Sequence, residues 1–125
     1  MGTRDLTILT DVSMITCIVQ RGKAEAVVQA AQDAGAQGAT IYYGYGSGVR
    51  ERLGVLGLAV DVEKEIITTL VADDQLDRIF ERMYFAGELD VPAAGIMYVT
   101  RLEKAATYIP QDIIERIAAK GEISE

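Results

Sequence analysis

Residues 12–20 read VSMITCIVQ, and no other run constrains the fold as much. Its β-branched residues favour a strand. It is too apolar on both alternating faces for a surface strand, so it belongs at the centre of a sheet. Strand and helix patterns then alternate along the chain. Arg21-Gly22 turns it. Residues 23–34 place Val27, Val28, Ala31 and Ala34 on one helical face, and Gly35 suits the C-terminal cap. Residues 39–45, ATIYYGY, read as a second strand. Residues 65–72 read as a third, with β-branched side chains at 66, 67, 68, 69 and 71 and an open starting point. Asp73 and Asp74 are N-cap candidates for a helix reaching about Phe85. Leu76, Ile79, Phe80 and Met83 give that helix its apolar face. Gly87 stops it, residues 88–95 form a loop with Pro92, and residues 96–102, IMYVTRL, read as a fourth strand. Pro110 suits the first turn of a last helix, with Ile113, Ile114 and Ile117 as its face and Gly121 at its end.

The order β-α-β-β-α-β plus a C-terminal helix predicts an α+β protein. Its arrangement is the split βαβ, or ferredoxin-like, fold, with an antiparallel sheet and both helices on one face. Residues 12–102 form this domain. Residues 1–11 are an N-terminal arm, either loose or added as an edge strand through Leu6, Ile8 and Leu9. Residues 103–125 are a C-terminal extension with the last helix. The sheet's second face is too apolar to stay bare on a monomer, which predicts self-association. Cover by the C-terminal helix alone is the alternative.

The 125 residues suit one domain, and half of them are hydrophobic, enough for a packed core. A net charge of −7 argues against a nucleic-acid partner, which needs a basic face. With no histidine, imidazole catalysis and most zinc sites are excluded. The single cysteine, Cys17, lies in the apolar first strand and reads as a core thiol. No internal disulfide can form, which fits a reducing compartment, and no signal or membrane-spanning run stands out, so a soluble cytoplasmic protein is expected. No nucleophile–base pair is visible, so no catalytic residue is assigned and the chain does not read as an enzyme. Asp61, Glu63 and Glu65 alternate at strand spacing and read as a charged strand face rather than a metal site. Glu88 and Asp90 read as parts of a solvated loop.

Residues 44–54, GYGSGVRERLG, carry the candidate site. Gly44, Gly46 and Gly48, with Tyr45 and Ser47 between them, could let backbone N–H groups approach an anion. The same glycines could instead serve as a hinge, and the two readings are compatible. Walker-type Gly-Lys-Ser/Thr chemistry is missing. On an extended chain Arg50 and Arg52 lie about 7 Å apart on one face, with Glu51 pointing the other way. Such a pair could clamp a phosphate or carboxylate, or be a solvated charged loop. Val49, Arg50, Glu51, Arg52 and Leu53 form its lid or docking tip. Four glycines or serines within residues 47–57 predict low local stability there.

The chain resembles the P-II nitrogen-regulatory signal proteins. The strand–helix order over residues 12–102 carries the resemblance, together with GAQGATIYYGYG at 35–46. So do the long segment 46–60 in the place of the family's T-loop and the Asp73-Asp74 opening of the second helix. The resemblance implies a homotrimer whose sheets line a central barrel. It implies adenine-nucleotide sites in clefts between subunits, and T-loops that dock on a membrane transporter or enzyme. Thr40, Gly44, Tyr45 and Gly46 match one side of that cleft, and Gly87 matches the first glycine of the B-loop. The expected effector site is therefore Thr40, Gly44, Tyr45, Gly46, Ser47, Gly48, Arg50, Arg52 and Gly87. The sequence departs from the family where FAGELDVPAAGIM replaces the B-loop pattern, EKAATYIP replaces an arginine-rich strand, and the T-loop is short. ADP, AMP or ATP is the expected ligand, with fewer phosphates than ATP favoured; no cofactor or metal is required. The alternatives are a trimeric P-II-fold protein of the copper-tolerance type, structural or metal-linked, and a small ferredoxin-like enzyme.

Overall fold

A computed structural model describes residues 4, 6–46, 62–108, 110–113, 115 and 123–124. Its elements are β1 (Ile8–Leu9), β2 (Val12–Gln20), α1 (Ala24–Asp33), β3 (Thr40–Gly46) and β4 (Val62–Ala72). A 3-10 turn (Asp73–Gln75), α2 (Leu76–Ala86), β5 (Gly95–Leu102), β6 (Ala105–Ala106) and β7 (Ile123–Ser124) follow. The main sheet has the order β3-β4-β2-β5 and is antiparallel throughout. β2 is central, with Cys17 opposite Ile67 on one side and Met97 on the other. This is the ferredoxin-like arrangement expected from the strand–helix order.

The period of a strand decides which residues enter the core. Ile15, Cys17 and Val19 of β2 and Ile67 and Val71 of β4 point to the helical face and are buried. Val27 and Ala31 of α1 and Ile79 and Met83 of α2 meet them. Val28, Leu76 and Phe80 pack at the edge of this cluster. Burial pushes the Cys17 thiol up to about 12, because a thiolate there would lose its water. It is a core thiol, as the apolar run predicted.

The opposite face of the sheet is different. Tyr42, Leu70, Ile96 and Tyr98 all stand on it, between 46% and 59% exposed. The described parts of the chain leave each of these four side chains about half exposed. Among the described residues no helix is long and apolar enough to cross a membrane.

Several local expectations need correction. β4 starts at Val62, three residues before position 65, because it is paired by backbone with β3, Gly46 opposite Val62 and Gly44 opposite Lys64. Charged side chains hid this extension. Neither aspartate caps the second helix with its side chain. Asp73 instead accepts hydrogen bonds from Ser13 Oγ and from Arg101, both at 2.7 Å. The arm is an added strand, but in a second sheet of order β6-β1-β7 rather than at the edge of the first. Residues 111–113 are helical, and Ile113 N–H bonds to the Pro110 carbonyl. Ile114, Ile117 and Gly121 lie outside the described residues.

Candidate functional site

The candidate site begins where β3 ends at Gly46 and β4 starts at Val62. β3 is an edge strand, and its last residues, Gly44 to Gly46, pair with the first of β4. Gly44 and Gly46 share the open face of the sheet with Ile66. A Cβ on Gly44 would come within 3.3 Å of the Ile66 methyl group. The Ile66 methyl and the Lys64 stem thus lie against the two glycines, which are half-buried. Tyr43 and Tyr45 project to the other face and are largely exposed.

The turn Arg21-Gly22-Lys23 and the end of α2 lie at the same end of the sheet. The Glu65 carboxylate accepts from Gly22 N–H at 2.8 Å and Ala24 N–H at 2.9 Å, filling the N-terminus of α1. Glu63 lies 3.6 Å from Arg21, and Lys23 bonds to Glu88 at 2.9 Å. These exposed pairs are screened by water and contribute little each. Two of the alternating carboxylates, Glu63 and Glu65, thus have structural partners; Asp61 lies outside the described residues. Among the described residues no three His, Cys, Asp or Glu side chains gather to hold a metal ion.

Gly87 ends α2 and is buried. A Cβ there would meet Val19 at 3.2 Å and Val27 at 3.3 Å. It lies beneath β2, two strands from β3, and its packing role is evident whatever else it does. Thr40 stands apart. It starts β3 opposite Thr68, about 13 Å along the strand from Gly44. There it lines a pocket of about 280 Å³ with Gln37, Gly38, Thr68, Thr69 and Leu70. Thr69 Oγ1 donates to the Gly38 carbonyl at 2.5 Å and fixes the loop that forms the pocket's rim.

The structure therefore divides the expected site. Gly44, Tyr45, Gly46 and Gly87 lie at one end of the sheet and Thr40 at the other. Ser47, Gly48, Val49, Arg50, Glu51, Arg52 and Leu53 lie outside the described residues. Sequence reasoning missed the pocket residues beside Thr40. Gln37 and Gly38 stood in the quoted GAQGAT, but nothing in a linear pattern pairs that loop with Thr68, Thr69 and Leu70.

A family model for the nitrogen regulatory protein P-II matches residues 12–111. Among solved structures, PII of Arabidopsis thaliana, bound to citrate, is similar with a TM-score of 0.57 and 17% identity. The match covers 75% of this chain and 79% of that one, and it carries the fold. No curated protein matches the sequence. The hairpin stem, the split βαβ order and a family match over most of the domain agree, and the chain belongs to the P-II family of signal-regulatory proteins.

Proposed function

We propose that this protein acts as a cytoplasmic homotrimer in which a small effector, an adenine nucleotide, binds in clefts between subunits. The effector biases the arrangement of residues 46–60, and that segment docks on a regulated target, a membrane transporter by the family's habit. The separation of Thr40 from Gly44 and Gly46 carries the reading. One small ligand is poorly placed to use both ends of β3 in one chain, whereas two neighbouring chains can each supply one end. The open face with Tyr42, Leu70, Ile96 and Tyr98 supplies the apolar surface for that association. The citrate in the Arabidopsis protein supports the idea of an acidic small effector in this fold.

On this reading Gly44, Gly46 and Gly48 let backbone N–H groups approach the anion, with Tyr45 and Ser47 beside it, while the expected role of Gly87 gives way to its packing beneath β2. Arg50 and Arg52 supply positive charge, and Val49, Glu51 and Leu53 complete the docking tip. Ligand binding selects among loop arrangements only as far as it binds them unequally. Calorimetry against AMP, ADP and ATP tests the assignment. Replacing Arg50 and Arg52 together with alanine should weaken the preferred nucleotide by about 30-fold, or about 2 kcal/mol, while the trimer persists. Unchanged affinity with failed target binding would move the arginines to the partner. Unchanged affinity and unchanged target binding would remove them from the site.

A further inference from the structure

A second cavity, of about 290 Å³, lies between the two sheets at the end of β4 away from the hairpin stem. Leu9 of the arm, Val12 of β2, Leu70 and Ala72 of β4, and Ala105 of β6 are among the residues of its largely apolar wall. Protein interiors are close-packed, and voids larger than a water are few. An apolar cavity of about half this volume stays dry and accepts benzene or xenon. Alanines at 36, 72 and 105 border this space, where leucine would take up part of it.

The chemistry of the wall selects the ligand. Asp11 is the one charged residue among those that line the cavity. Gln37, Gln75 and Thr107 offer neutral hydrogen-bonding groups. A phosphate or carboxylate would meet a like charge and no cation in that lining. A flat apolar body with one neutral polar group meets complementary surface. β1 closes one side as the middle strand of its small sheet, paired with β6 through Ile8–Ala106 and Leu9–Ala105 and with β7 through Ile8–Ser124 and Leu9–Ile123.

We propose that this cavity is a second ligand site, for a small uncharged one- or two-ring heteroaromatic molecule, with Leu9 to Asp11 as one of its walls. Leu70 and Gln37 line both this cavity and the pocket beside Thr40. Occupancy here therefore presses on a wall shared with the proposed effector cleft. The site does not depend on residues 47–61 or on nucleotide binding.

Indole is the probe, titrated into the full chain and followed by ligand-observed NMR and calorimetry. The expected result is saturable binding at one site per chain, with indole-3-carboxylate at least roughly tenfold weaker because of its charge. Ala72→Leu and Ala105→Leu, made separately and checked for cooperative melting, should each weaken indole by roughly tenfold or more. Absence of saturable indole binding up to millimolar concentration would overturn the proposal. So would equal affinity for the carboxylate, a comparison that needs no variant, or full affinity in both folded leucine variants.

Discussion

A carboxylate oxygen of Glu65 lies 2.9 Å from the backbone nitrogen of Ala24, so β4 caps a helix that began 41 residues earlier. The same oxygen takes the Gly22 N–H. Helix α1 has no side-chain cap from its own Lys23, and the strand supplies what the helix lacks. Glu65→Ala should therefore cost about 1–2 kcal/mol in urea unfolding, as a lost cap does. Glu65→Gln keeps an acceptor and should cost less. Glu88→Ala, which breaks only the exposed contact with Lys23, should stay within about 0.5 kcal/mol.

Asp73 joins three segments. It accepts from Ser13 and Arg101 through its side chain, and its N–H donates to the Asp11 carbonyl at 2.9 Å. Ser13 is buried, 1% exposed, so Asp73→Ala strands a hydroxyl and should cost about 1–3 kcal/mol. Arg101 is largely exposed, and Arg101→Ala should cost well under half of that. Equal losses in the two variants, measured by denaturant midpoints, would contradict this ordering.

Two glycines mark close approaches. A Cβ on Gly95 would sit 2.1 Å from the Ile18 carbonyl oxygen, a backbone atom that cannot step aside. One on Gly87 would meet methyl groups of Val19 and Val27, which can shift slightly. Gly95→Ala should thus destabilise more than Gly87→Ala, which overpacks the core by about 1–3 kcal/mol. Thermal melts of the two variants check the order.

Much of the architecture was legible because strands and helices print their burial onto the chain. Ile15, Cys17 and Val19 alternate, and Ile79 and Met83 recur at helical spacing, so sheet, helices and core follow from period alone. The start of β4 did not, since Val62 to Glu65 is held by backbone pairing with β3, and Glu63, Lys64 and Glu65 are charged. Asp73 looked like a cap because a helix follows it, but its partners, Ser13 and Arg101, are brought near only by the folded sheet. The candidate site stood in the sequence as glycines and arginines in a row, and Arg50 and Arg52 lie outside the described residues. The pocket beside Thr40 was not legible, because spacing along one strand does not say that Thr68, Thr69 and Leu70 of its neighbour lie there.

The buried thiol gives a prediction in pH. The pKa of Cys17 rises from 9.0 to about 12 in the folded chain, so above pH 9 the unfolded state gives up a proton that the folded state keeps. Its contribution to stability should be constant below pH 9 and fall progressively between pH 9 and 12. Cys17→Ala should remove that part of the alkaline loss. At pH 8 the native thiol should resist alkylation until denaturant is added.

The central claim is that one effector site needs two chains. Ile96, 59% exposed on the open face, is the place to break the assembly without touching the core. Ile96→Asp should yield a folded monomer by sedimentation. Calorimetry of the unaltered protein and of this variant against the same adenine nucleotide is the decisive comparison. The account predicts binding by the trimer, one nucleotide per chain, and loss of binding by the monomer. Equal affinity in a folded monomer, or no adenine nucleotide bound by the unaltered protein, would contradict it.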